Sequence, residues 1–300
     1  MSWPPTEARN PRTVAIDESP TLDVLRLLNA EDATVPGAVA AALPQLADAV
    51  DLAVDALAAG NRLHYFGAGT SGRLAVLDAA ELRPTFGLEP GRVVAHLAGG
   101  LRALTNPSED AEDDAASGAA DGAEVDPGDV AVGITASGRT VYVAGALRAA
   151  RARGAGTVLV SANPAAPLAA HADVHVAVDT GPEAITGSTR LKAGTAQKLV
   201  LNSLSTAVMI RLGRTYSNLM TDMIASNRKL RARQVRMLAQ ATGTDHDSCA
   251  DALAAAGGDP KVALVTLLSA VSPDQARQAV AAAGGVVHKA LRVVRSARQA

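Results

Sequence analysis

Two short stretches combine hydroxyls and glycines in a way that suits anion binding: Phe66-Gly67-Ala68-Gly69-Thr70-Ser71-Gly72-Arg73 and Ile134-Thr135-Ala136-Ser137-Gly138-Arg139-Thr140. Each follows an apolar run that reads as a buried strand, and each opens a helical pattern. In such a strand-to-helix turn, free backbone N–H groups and the positive end of the helix dipole hold negative charge. An ordinary helix cap accounts for either turn alone. The two together point to one phosphorylated small molecule, because alternating hydroxyls suit the three oxygens of a phosphate. The candidate ligands are Gly69, Thr70 and Ser71 in the first turn and Thr135, Ser137, Gly138 and Thr140 in the second. Neither turn carries the lysine of a nucleotide P-loop or the three-glycine dinucleotide spacing, which disfavours a nucleotide. The helix leaving the first turn reaches a carboxylate, Glu81, after Leu77-Asp78-Ala79-Ala80.

Other reactive side chains read more plainly. The acidic run Glu109-Asp110-Ala111-Glu112-Asp113-Asp114 fits a solvated helix start, and it lacks the oxygen-ligand spacing of a calcium loop. His171 and His175 are too far apart along a strand to share a metal, and His64 and His96 read as strand residues, so no metal is expected. Arg73 and Arg139 each follow a glycine of a turn and serve either as substrate contacts or as partners of carboxylates. Cys249, the one cysteine, lies among Asp247, Ser248 and Asp251, which do not activate a thiolate, and reads as a buried small residue. The basic run Arg228-Lys229-Leu230-Arg231-Ala232-Arg233 reads as a solvated or subunit-facing helix side.

Bringing two such turns to one place requires strands that end side by side. Five β-rich runs, at 63–66, 93–97, 130–135, 157–161 and 174–178, alternate with amphipathic helical stretches. That alternation predicts an α/β fold: a three-layer, doubly wound, five-stranded parallel sheet that binds ligands beyond the carboxyl ends of its strands. Helical periodicity also covers 21–29, 35–59, 189–212 and 219–239. Residues 245–300 hold three or four short helical patterns, two of them opening at Asp259-Pro260 and Ser272-Pro273. The predicted organisation is an extended arm over 1–20, a catalytic domain over 21–240 and a small helical bundle over 241–300.

The 300 residues, 48% of them hydrophobic, suffice for one sizeable core and an appendage. A net charge of −2 and an aromatic content of 2% argue against a nucleic-acid partner. A lone thiol fits a reduced, cytoplasmic setting. The start Met1-Ser2-Trp3-Pro4-Pro5 does not read as a signal peptide, and no apolar run is long enough for a membrane span.

The paired turns resemble the sugar isomerase (SIS) domain, which binds phosphosugars. The resemblance narrows with residues 67–87 (GAGTSGRLAVLDAAELRPTFG), with Thr6-Glu7-Ala8-Arg9-Asn10, and with Thr186-Gly187-Ser188-Thr189-Arg190-Leu191-Lys192-Ala193-Gly194-Thr195-Ala196-Gln197-Lys198. Asn218-Leu219-Met220-Thr221-Asp222 with Asn227 and Leu230 adds to it. These blocks resemble the N-acetylmuramic acid 6-phosphate etherase family over nearly the whole chain. The resemblance implies cleavage of a D-lactyl ether, giving N-acetylglucosamine 6-phosphate and D-lactate in cell-wall amino-sugar recycling. The opened sugar would lose its C2 proton, expel the C3 oxygen and take up water, with no metal or cofactor. It implies Glu112 as the base at C2 and Glu81 as the acid at the departing oxygen. The acid role requires Glu81 to carry a proton near neutral pH, which partial burial or a neighbouring negative charge favours. On the same motif, Glu183 assists ring opening and Lys192 joins the binding set. SIS proteins pair through long helices, so the resemblance implies a homodimer whose pocket a neighbouring subunit completes. The arm, with Glu7, Arg9 and Asn10, would reach toward that pocket. The C-terminal helices resemble a small ubiquitin-associated-like fold.

Two other classes stay open. An aldose–ketose phosphosugar isomerase would share the base and the turns but need no acid at C3. A non-catalytic sugar-phosphate-binding regulator would keep Ser71 and Ser137 without the carboxylates, and the presence of both Glu81 and Glu112 argues against it.

Overall fold

The computed structural model describes residues 3–108, 110–225 and 227–299. The chain forms two compact units. The first comprises Met1–Ala79 with Pro90–Val208, the second Ala80–Glu89 with Met209–Ala300.

In chain order the elements begin with α1 (Thr21–Asp32), α2 (Val35–Ala41), α3 (Leu43–Ala58) and β1 (Leu63–Gly67), and the last turns of the α4 and α7 named next fall in the second unit. Then come α4 (Gly69–Phe86), β2 (Val93–Leu97), α5 (Ala115–Gly122), β3 (Val130–Thr135) and α6 (Val141–Ala152). β4 (Gly156–Ser161), β5 (Val174–Ala177) and α7 (Lys192–Arg211) follow. The five strands form one parallel sheet in the order β2-β1-β3-β4-β5. β1 and β3 are buried along their whole length, as the apolar runs require of central strands.

The order reverses between β1 and β3: the chain steps from β1 to β2 on one side, and from β3 to β4 and β5 on the other. This is a topological switch point, where open α/β sheets leave a crevice at the strand carboxyl ends. Gly67 pairs in register with Ile134, so the two turns leave the sheet side by side at that crevice.

Small residues set the layer spacing. Side chains added at Gly118 or Gly122 of α5 would reach 2.0 Å from the Tyr142 carbonyl oxygen and 2.5 Å from that of Ala146. One added at Gly145 of α6 would reach 2.3 Å from the Ala115 oxygen. The α5 and α6 backbones therefore touch, and alanine-rich packing replaces large side chains.

Two helical expectations and that of the arm change in detail. The stretch expected as one helix over 35–59 breaks at Ala42, because Pro44 in the first turn of α3 cannot donate to a preceding turn. The expected 219–239 helix begins only at Arg228. Residues Thr215–Tyr216 (β6) and Leu219–Met220 (β7) form a hairpin around Ser217, whose φ is 53°. The Asn227 side chain then accepts from Leu230 N and starts α8 (Arg228–Thr242). The 1–20 arm is folded rather than extended, with Thr6, Asn10, Thr13 and Ile16 buried. Thr13 Oγ1 donates to the Ala184 carbonyl at 2.8 Å, and Asn10 Nδ2 donates to that of Pro182 at 3.4 Å.

The second unit gathers the hairpin, α8, and four further helices: α9 (His246–Ala255), α10 (Pro260–Ser269), α11 (Pro273–Ala282) and α12 (Val287–Gln299). Asp259 caps α10, and Ser272 with Gln275 forms a reciprocal capping box on α11. Met237 and Leu238 of α8 share one buried cluster with Leu253, Leu264 and Leu291. That packing groups α8 with the C-terminal helices, whereas the sequence reading divided the chain after residue 240. Cys249 lies in the same cluster, fully buried, and burial pushes its thiol pKa up, which suits an inert core residue. No single helix among the described residues is long and apolar enough to cross a membrane.

Candidate functional site

The first turn is built by close approach. A side chain on Gly67 would reach 2.7 Å from Gly72 N, and one on Gly72 would reach 2.4 Å from Leu97 Cδ1 and 2.5 Å from the Gly67 oxygen. Only glycine lets the end of β1 and the start of α4 meet this tightly. Gly69 opens α4 at a φ of 54°, which leaves Thr70 partly exposed and Ser71 buried in the first helical turn. A Cβ at Gly194 of α7 would lie 3.5 Å from the Thr70 methyl, so the first turn of α7 borders this loop.

The second turn is a hydroxyl cluster. Thr135 Oγ1 and Thr140 Oγ1 are 2.8 Å apart. Gly138 N donates to Thr135 Oγ1 at 3.3 Å, and Arg139 N to Ser137 Oγ at 3.2 Å. Gly138 stands at a φ of 70°, with its would-be Cβ 2.3 Å from that of Ala166. Behind the turn, the segment after β4 takes up three successive carbonyls. Ala162 N donates to the Ala136 oxygen at 3.0 Å and Leu168 N to the Gly138 oxygen at 3.3 Å. Asn163 Nδ2 donates to the Ser137 oxygen at 2.8 Å.

The other expected site residues divide. Glu183 is fully buried and accepts from the backbone N of Lys192 at 2.8 Å and of Ala193 at 3.0 Å, so its carboxylate caps α7. Burial pushes its pKa up, against the lowering effect of those two bonds. Lys192 is buried too, and its Nζ donates to Glu31 Oε2 at 2.8 Å rather than to a group of either turn. Glu31 also receives Arg12 from the arm, and the Arg12 hydrogen bonds hold its carboxylate at a pKa of about 2. Glu81, on α4, and Glu112, in a short 3-10 turn, are both exposed. Glu109 lies outside the described residues. Asp114, at the end of the acidic run, accepts from Ser117 N at 2.9 Å and caps α5.

Two residues near the first turn bind parts of the fold together. Arg73 bonds backbone carbonyls: its Nε donates to the Ala103 and Leu104 carbonyls at 2.9 and 3.1 Å, and its Nη2 to that of Asn106 at 3.1 Å. It thus anchors the segment leading to the acidic run. Asp78, beside Glu81 in the motif, is buried and accepts from Tyr65 Oη, Asn202 Nδ2 and Ser205 Oγ at 3.0–3.1 Å. Burial raises its pKa, and the three bonds tie α4 to β1 and α7. Sequence reasoning passed over Asn163. Its signal was an amide immediately before Pro164 at the end of a strand, a common loop pattern without chemical specificity.

No group of three or more His, Cys, Asp or Glu side chains among the described residues is arranged to hold a metal ion. The second unit contains a cavity of about 850 Å³, lined by Asp222, Met223, Arg228, Arg231, Leu253 and Lys261. Lys261 Nζ is already committed there, to Asp222 at 2.8 Å.

A glucokinase regulatory protein N-terminal SIS domain model matches residues 45–151, and a SIS domain model matches residues 101–207. Among curated proteins, the chain is 63% identical over 265 residues to an N-acetylmuramic acid 6-phosphate etherase of Thermobifida fusca (strain YX), covering 88% of this chain and 87% of that one. It is 56% identical over 267 residues to the protein of the same name from Symbiobacterium thermophilum, covering 89% of each. For that of Cutibacterium acnes the identity is 52% over 288 residues, covering 95% of each.

Proposed function

The chain belongs to the N-acetylmuramic acid 6-phosphate etherase family, and on that premise we propose that it cleaves the D-lactyl ether of N-acetylmuramic acid 6-phosphate, releasing D-lactate and N-acetylglucosamine 6-phosphate. The observation that carries this reading is the pair of hydroxyl-lined turns at the switch point, in a chain that aligns with etherases over almost its full length. The turns take the phosphate.

An ether carbon is a poor target for water, whereas a proton α to an aldehyde is acidic. In the opened sugar, Glu112 removes the C2 proton, and Glu81 protonates the C3 oxygen as the C–O bond breaks. Lactate leaves, and water adds to the resulting double bond. Each carboxylate ends one half-reaction in the state the other half needs, so no further proton donor is required. Both side chains are exposed in the single chain. Chemistry on the sugar needs both carboxylates shielded from bulk water, which calls for cover from a second copy. That requirement supports a homodimer, as do Leu22 and Leu25 of α1, each more than half exposed. Glu183 supports ring opening indirectly, by fixing the first turn of α7 beside Thr70. The setting is the cytoplasm, in salvage of cell-wall amino sugars.

The test is lactate release from N-acetylmuramic acid 6-phosphate by the wild type, Glu81→Gln and Glu112→Gln. Both variants are expected to lose at least about a hundredfold in rate. Full activity in either removes that residue from the mechanism. Conversion of glucosamine 6-phosphate or fructose 6-phosphate would instead establish an isomerase.

A further inference from the structure

The carbonyl oxygens of Ala136, Ser137 and Gly138 are all drawn to one side, into the segment that follows β4. In a trans peptide the carbonyl and the next N–H point in opposite directions. Holding these three oxygens back therefore turns the N–H groups of Ser137, Gly138 and Arg139 toward the hydroxyl side of the turn. The positive φ of Gly138 lets consecutive N–H groups converge, the backbone geometry of an anion nest. Gly138 N and Arg139 N donate to Thr135 Oγ1 and Ser137 Oγ, and Thr135 Oγ1 shares one hydrogen with Thr140 Oγ1, so Ser137 and one of the two threonines each keep a hydroxyl hydrogen for an incoming oxygen.

Two of the three carbonyl partners are backbone N–H groups. The third is the Asn163 side chain, almost fully buried, whose Oδ1 also accepts from Ala165 N at 3.0 Å. Asn163 is itself braced. Ser161 Oγ donates to its carbonyl at 3.0 Å, which uses the only hydroxyl hydrogen of Ser161. The 2.8 Å contact between Ser161 Oγ and His175 Nε2 must then be a bond donated by the ring, so His175 carries its proton on Nε2. The chain of bonds runs from β5 through β4 to the turn: His175, Ser161, Asn163, Ser137.

We propose that Asn163, braced by Ser161 and His175, is a positioning residue for phosphate: it holds the Ser137 carbonyl so that Gly138 N meets Thr135 Oγ1 and the hydroxyls of the second turn face the phosphate oxygens. The proposal rests on the phosphate-binding reading of that turn. It does not place Asn163 in contact with substrate.

The experiment compares wild type with Asn163→Ala, Asn163→Asp and Ser161→Ala. Asn163→Asp keeps the size and the acceptor for Ala165 N but removes the donor to Ser137, which covers the case in which alanine fails to fold. The two Asn163 variants are expected to raise KM for the phosphosugar, and the inhibition constant of inorganic phosphate, by about tenfold, with kcat within about twofold. Turnover of the same sugar lacking its phosphate should be unchanged, which a general structural defect would not allow. Ser161→Ala should move the same constants in the same direction by less. Calorimetric titration with inorganic phosphate reads the turn without any lactate assay. Phosphate binding to wild type that weakens in both Asn163 variants thus supports the proposal even if the etherase reading fails. Unchanged phosphate affinity in both, or a fall in kcat at constant KM, overturns it.

Discussion

Thr140 shows how much one hydroxyl carries. Its Oγ1 meets Thr135 Oγ1 at 2.8 Å, and Thr135 in turn accepts from Gly138 N. Thr140→Val keeps the shape but cuts this chain at its outer end. Phosphosugar KM should rise about tenfold with little change in melting temperature, as measured by steady-state kinetics beside thermal unfolding. His64 makes a different point, about stability. Neutral rings satisfy the whole chain: His96 Nε2–H donates to His64 Nδ1 at 3.0 Å, and His64 Nε2–H donates to Asp129 Oδ2 at 3.2 Å. Burial, then the neighbouring His96, pushes the His64 pKa down from 6.5 to about 4. The unfolded chain therefore binds the proton first, so stability is full above pH 6.5 and declines as pH falls toward 4. The loss should be on the order of 3 kcal/mol, read from urea midpoints across that range, and His64→Gln should flatten the slope. The sequence marked His64 only as a strand residue; its partners come from β2 and the loop before β3.

At the scale of elements, contacts between backbones decide more than side-chain size. Gly118→Ala would press a methyl 2.0 Å from the Tyr142 oxygen, and neither α5 nor α6 can yield without leaving the sheet. Unfolding free energy should fall by about 2–3 kcal/mol in denaturant titrations. The N-terminal end of α7 is held by charge instead. Lys192→Met leaves Glu31 with Arg12 and Asn10, and Glu183 keeps its two backbone bonds. A loss of about 1.5–3 kcal/mol is expected, because one charge-assisted bond to the buried carboxylate is removed while its Arg12 pair stays. That loss should shrink in acid, as Glu31 takes up a proton below its ordinary 4.5 and down to about 2. Sequence periodicity located α7 to within three residues at its start. It could not show that Lys192 turns inward, because Glu31 is 161 positions away.

For the whole molecule, the homodimer is the expectation with the most at stake, since the exposure of Glu81 and Glu112 in one chain calls for added cover. Sedimentation at assay concentration should report two chains, and dilution to monomer should lower specific activity. A fully active monomer would remove the partner from the site.

The sequence by itself determined what local pattern can encode. The five strands follow from apolar runs, the helix starts at Asp259 and Ser272 from capping chemistry, and the two strand-to-helix turns from glycines and hydroxyls at strand ends. The family followed as well, because long motifs survive without any knowledge of geometry. Tertiary structure alone decided strand order, and with it the switch point that sets the turns side by side. It also decided the fate of polar side chains whose partners are distant in the chain: Arg73 on the Ala103–Asn106 carbonyls, Lys192 on Glu31 and Asn163 on Ser137. A side chain's type states which bonds it is able to make. Which it does make depends on the atoms that folding brings within 3 Å, and no spacing along the chain carries that information.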